Sequence, residues 1–117
     1  MADYAAQAGV ASERLVFAPK LANARHLAGY PLADLFLDTA PYGAHTTASD
    51  ALWMGVPVLT LPGRGFASRV CASLVRAAGL PEMICASAAD SRLGRLRPSR
   101  TSAGSVTISD RPCRAIA

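Results

Sequence analysis

The amino-acid sequence predicts an α/β fold: a partial Rossmann-like layer on a parallel sheet, followed by a disordered basic tail. Three observations carry the prediction. Short apolar runs alternate with helix-like segments across short loops, the order expected of parallel strands joined by crossover helices. The runs are continuously apolar rather than alternating, as in strands covered on both faces. Only three of them are present, where a sheet commonly has about five to six, so the layer reads as part of a larger unit.

The elements follow in order. Residues 3–8 read as the end of a helix stopped by Gly9. Leu15-Val16-Phe17 is a short apolar run ended by Pro19 and reads as a buried strand. Residues 22–29 read as a short helix closed by Gly29, and Leu35-Phe36-Leu37 as a second buried strand ending at Asp38-Thr39. After the loop Ala40 to Ala44 and His45, a helix begins with Thr46 or Thr47 as its cap. Asp50 falls in its first turn, where the helix dipole favours a carboxylate. Trp53 and Met54 are expected to face the core, and Gly55 and Pro57 stop the helix. Val58 to Leu61 is the third strand. Ala67 to Ala78 reads as another helix, with Val70, Leu74 and Ala78 on one face and Gly79 and Pro81 closing it. The expected organisation is a domain over 1–90 and a tail over 91–117.

Charge separates the same two regions. The 117 residues carry a net charge of +4 and a pI near 9.4. Residues 1–90 hold six basic and seven acidic side chains, whereas 91–117 hold six arginines and only Asp110. The positive balance therefore belongs to the Ser/Arg-rich tail, whose composition predicts disorder. With no lysine cluster and no aromatic residue for base stacking, the tail does not favour a nucleic-acid partner. Length allows one domain at most. Cys71, Cys85 and Cys113 lack metal-ligand or disulfide-framework spacing and read as reduced cysteines. No apolar run approaches the roughly 20 residues of a membrane span, and Met1 opens no signal peptide. A cytoplasmic location without membrane contact is expected.

The chemistry concentrates at residues 34–73. A strand ends in a glycine-containing loop that presents His45, Thr46 and Thr47 at a helix start. Such a terminus offers unpaired N–H groups and a positive dipole end, which suit a phosphate. The Thr hydroxyls add donors, the histidine can donate to a phosphoryl oxygen, and Asp50 can accept from a ribose hydroxyl. Ligands in open α/β sheets sit beyond the carboxyl ends of the strands, where this loop falls. The plainer reading remains beside it: Thr46 only caps a helix and His45 is a surface residue. Arg64 and Arg69 could approach an anionic ligand; Arg69 is expected to support the loop through a carboxylate or carbonyl. Ser68 reads as a cap, since no histidine and carboxylate are placed to activate it. Tyr42 either lines the pocket or packs the loop.

From Ala11 to Ala86, most densely over DLFLDTAPYGAHTTASDALWMGVPVLTLPGRGFASRV at 34–70, the sequence resembles the catalytic C-terminal region of the O-linked N-acetylglucosamine transferase (SPINDLY-like) family. The resemblance implies the GT-B architecture, with this chain corresponding to part of the second Rossmann-like half. It implies that His45, Thr46 and Thr47 match the His-Thr-Thr motif that binds the diphosphate of a UDP-sugar and stabilises the leaving group. Asp50 matches an aspartate that holds the ribose. His26 matches a histidine that packs against uracil, and the backbone from Ala18 to Leu21 matches the stretch that reads the uracil edge. Some members place a lysine three residues before that histidine; this chain has Asn23.

The implied activity is transfer of N-acetylglucosamine from UDP-GlcNAc, or of a related sugar from its UDP donor, to protein Ser or Thr. The implied mechanism is inverting, with no metal or other cofactor. The family's lysine and glutamine near the diphosphate, its first Rossmann half and its tetratricopeptide repeats precede the matched region. The match fades near residue 90. The chain alone is therefore expected to be an inactive fragment, with a protein acceptor as partner once upstream domains complete it. Two alternatives stay open: another donor or acceptor, such as glucose moved to asparagine, and a non-catalytic UDP-binding or interaction module.

Overall fold

The computed structural model describes residues 2–92, 98–100, 106–108 and 115–116. Its centre is a small parallel sheet. Strand β1 (Leu35–Leu37) pairs with β2 (Val58–Leu59), with Phe36 opposite Val58 and Leu37 opposite Leu59. Beyond β2, Thr60 makes a one-residue parallel bridge to Ile84: its N–H donates to the Met83 carbonyl at 3.1 Å, and Cys85 N–H donates to its carbonyl at 2.8 Å. On the other edge of β1 lies β5 (Ala115–Ile116). The expected α/β architecture with parallel strands is present.

Helices pack against this sheet through small or slender side chains. Helix α3 (Thr46–Trp53) buries Ala48 and Ala51 completely, so its backbone lies close to the strands. Helix α4 (Val70–Ala77) buries Cys71, Ala72 and Val75. This is one position off the expected stripe: Val70 and Leu74 are half-buried and Ala78 is exposed. Tyr30, Phe36, Val56, Val58 and Met83 complete the same core. Helix α1 (Ala2–Gln7) precedes a 3-10 turn at Ser12–Arg14, and helix α2 (Asn23–Gly29) runs directly into another at Tyr30–Leu32. Gly29 is the last residue of α2, as expected, though its angles are helical and the chain runs on into the 3-10 turn. Buried Tyr30 holds the next turn against the core. A short α5 (Ala88–Arg92) follows the Ile84 bridge.

Other sequence expectations change in three places. Leu15-Val16-Phe17 is not a strand, and Val16 and Phe17 are 89% and 66% exposed. β2 and β5 take both edges of β1, so this run does not pair with that central strand. Trp53 is 89% exposed rather than buried, because Ala48, Ala51 and Leu52 define the inward face of α3 and position 53 turns away from it; Met54 does pack against the core. The expectation of disorder over 91–117 falls largely outside the described residues. Within that range, β3 (Pro98–Arg100) and β4 (Val106–Ile108) form an antiparallel pair and β5 joins the main sheet. Val106-Thr107-Ile108 is a run of β-branched residues suited to a strand, which the polar average of the tail conceals.

Candidate functional site

The carboxyl end of β1 and the start of α3 form one corner, joined by residues 38–45. The loop turns through a cis Ala40–Pro41 bond. Asp38 ties it down: Ala44 N–H donates to Oδ1 at 2.6 Å, and the Thr60 hydroxyl donates to Oδ2 at 2.7 Å. Thr39 Oγ1 donates to the Tyr42 carbonyl at 3.1 Å, closing the outer side. The loop thus reaches α3 in a fixed geometry set from the strand end.

His45, not Thr46 or Thr47, occupies the N-cap of α3, with φ −113° and ψ −86° and no side-chain cap bond. The two threonines stand at the first and second helical positions, exposed. The first intrahelical bond is Ser49 N–H to the His45 carbonyl at 3.1 Å, so the first-turn N–H groups ahead of Ser49 point out of the helix end. The reason differs from the expected cap. No Ser, Thr, Asp or Asn stands at position 45, and the nearby carboxylate, Asp38, is engaged one residue earlier by Ala44.

The His45 ring is held on three sides. Its Nε2 lies 3.1 Å from the Ala67 carbonyl. A carbonyl only accepts, so Nε2 carries the proton and Nδ1 is left to face outward chemistry. Tyr42 stacks on the ring at 5.5 Å and Phe66 meets it edge-on at 6.3 Å. Both aromatics are largely exposed. Tyr42 therefore packs against His45 while leaving a free face.

A second chain of contacts brings α2 to the same corner. His26 meets Tyr30 edge-on at 5.2 Å, and the Tyr30 hydroxyl donates a long 3.4 Å bond to the Thr47 carbonyl. Burial, and then the negative charge of Asp50, push the Tyr30 hydroxyl pKa up. His26, Thr47 and Asp50 are thus linked through Tyr30. Leu21 lies on the stretch before α2, 41% exposed, and makes no hydrogen bond with the corner among the described residues.

Ser68 donates to the Gly65 carbonyl at 2.8 Å inside the 3-10 turn Phe66–Ser68, and Arg69 is the N-cap of α4. Ser68 is therefore a turn brace, not a helix cap. Arg64 and Arg69 are exposed, and the expected pairing of the Arg69 guanidinium is not seen among the described residues. No group of three or more His, Cys, Asp or Glu able to hold a metal occurs among the described residues. None of their helices is long and apolar enough to cross a membrane. Sequence reasoning missed Asp38, Tyr30 and Phe66. An aspartate directly after a strand and before a glycine loop was the available signal for Asp38.

Comparison with known proteins gives a consistent result. The model of glycosyl transferase family 41 matches residues 1–94. The chain is 43% identical over 77 residues to a probable UDP-N-acetylglucosamine–peptide N-acetylglucosaminyltransferase, SEC, of Arabidopsis thaliana, covering 66% of this chain and 8% of that protein. It is 40% identical over 81 residues to the UDP-N-acetylglucosamine–peptide N-acetylglucosaminyltransferase of Caenorhabditis elegans, covering 69% of this chain and 7% of that one. A solved structure of a lysine-to-methionine mutant of Thermobaculum terrenum O-GlcNAc transferase superposes with a TM-score of 0.68 at 45% identity, over 70% of this chain and 16% of that one. The chain thus spans under a tenth of the length of these curated relatives.

Proposed function

The chain belongs to glycosyl transferase family 41, and on that premise we propose that its β1–α3 corner is the diphosphate end of a UDP-N-acetylglucosamine site in an enzyme that glycosylates protein Ser or Thr. The observation that carries this reading is the uncapped first turn of α3, flanked by exposed Thr46 and Thr47 at the carboxyl end of β1. The relatives' names supply the donor and acceptor classes.

The scheme is inverting. The acceptor hydroxyl attacks the anomeric carbon from the face opposite UDP and gives its proton to a base that the residues of this corner do not supply, while the bond from that carbon to the β-phosphate oxygen breaks and UDP leaves. Negative charge grows on the β-phosphate. First-turn N–H groups, the Thr46 and Thr47 hydroxyls and the positive end of α3 meet that charge without needing a metal ion. His45, with Nε2 committed to Ala67, offers Nδ1. That nitrogen donates to a phosphoryl oxygen only when the ring is protonated. Asp50 is assigned to the ribose hydroxyls, and His26 and the backbone at Leu21 to the uracil.

Calorimetric titration of the chain with UDP tests the reading. Thr46→Val and Thr47→Val each remove one hydroxyl without changing side-chain shape, and each is expected to weaken binding about tenfold, as for a hydrogen bond to a charged group. Wild-type affinity in both variants would sink the assignment.

A further inference from the structure

Asp38 stands where β1 ends, and its two carboxylate oxygens hold different elements. Oδ1 takes the Ala44 N–H, one residue before the helix cap, and Oδ2 takes the Thr60 hydroxyl at the end of β2. Two further features converge on this point. A Cβ at Gly43 would lie 3.1 Å from both Asp38 Oδ2 and the Ala67 carbonyl, so the loop is packed down onto that carboxylate. The same Ala67 carbonyl receives the His45 ring. From the other side, the fully buried Cys71 of α4 lies close enough for the Asp38 charge to act on its thiol.

We propose that Asp38 is a positioning residue. It locks the turn at 43–45 against the end of β2, so that His45 and the first turn of α3 are already in place when a ligand arrives. The ligand half of this proposal rests on the diphosphate reading above; the locking half does not. A site ordered in advance does not have to order its loop on binding, and that saving appears as affinity. Two strong donors also take up the negative charge of Asp38, which would otherwise oppose an anion beside it.

The test uses the full chain in two measurements. Backbone 15N relaxation without ligand reads the loop: order parameters at residues 43–46 are expected near 0.85 in the wild type and below about 0.6 in Asp38→Ala. Asp38→Asn should restore rigidity, because its amide oxygen still accepts from Ala44 and its amino group still reaches Thr60. Thr60→Val, which keeps the buried shape and removes one tether, should loosen the loop part-way; it decides the matter if Asp38→Ala does not fold. The second measurement compares UDP with uridine. Asp38→Ala should lose about tenfold in UDP affinity and little in uridine affinity, whereas general destabilisation would weaken both alike. A loop that stays rigid in Asp38→Ala, or in Thr60→Val where the alanine variant is unfolded, overturns the proposal. A wild-type chain that binds UDP no better than uridine overturns the diphosphate reading instead, and the relaxation result then decides the positioning role alone.

Discussion

Cys71 illustrates how strongly one side chain here depends on its surroundings. Its thiol is pushed up from about 9 to about 12, chiefly by burial; the Asp38 charge adds to that rise, and the neighbouring Thr60 side chain opposes it. Cys85 and Tyr30 are raised in the same direction, mainly by burial. The unfolded thiol loses its proton near pH 9, whereas the folded one keeps it, so above that pH the unfolded state binds fewer protons. Stability should therefore be full below pH 9 and fall as pH rises from about 9 towards 12. Urea unfolding followed across that range checks the sign, and Cys71→Ala should flatten part of the fall. A curve independent of pH above 9 would contradict the burial argument. At pH 8 the folded thiol should also resist alkylation until urea is added.

The helices end in a repeated way. At α3, Gly55 N–H donates to the Leu52 carbonyl and Val56 N–H to the Ala51 carbonyl; at α4, Gly79 and Leu80 do the same with Arg76 and Val75. Both glycines have φ near +75°, the left-handed conformation such an ending requires. A Cβ at Gly79 would meet nothing within 4 Å, so only backbone strain opposes it. Gly79→Ala is expected to cost about 1 kcal/mol, seen as a lower urea midpoint with an unchanged slope; an unchanged midpoint would refute the conformational assignment. These ends were legible in the sequence because a glycine encodes its own φ. The Leu15–Phe17 run was misread for the opposite reason. Whether an apolar triplet becomes a strand depends on a free sheet edge, and the edges of β1 are taken by segments far along the chain.

Across the whole molecule, the parts that combine into the site come from α2, the β1–α3 loop, β2 and the turn before α4. The sequence pointed to His45, Thr46 and Thr47 because they are adjacent. It hid Asp38, whose partner Thr60 is 22 residues away, and Tyr30, whose hydroxyl reaches Thr47 across 17. In the function proposed above, these parts make the leaving-group end of a transfer reaction. The expectation is that the chain binds UDP and does not move sugar to a peptide acceptor, since the acceptor and its base need further groups. Mass spectrometry of an acceptor peptide incubated with chain and UDP-GlcNAc checks this, and a product lost in His45→Ala would overturn it. Trp53 is the single tryptophan and points into solvent at the end of α3 remote from His45. Its indole is already hydrated in the native state, so its emission changes little when the core opens. An optical melt read at tryptophan wavelengths would report a nearly flat line for a protein that is in fact unfolding, whereas the near-ultraviolet dichroism of buried Tyr30 would record the transition.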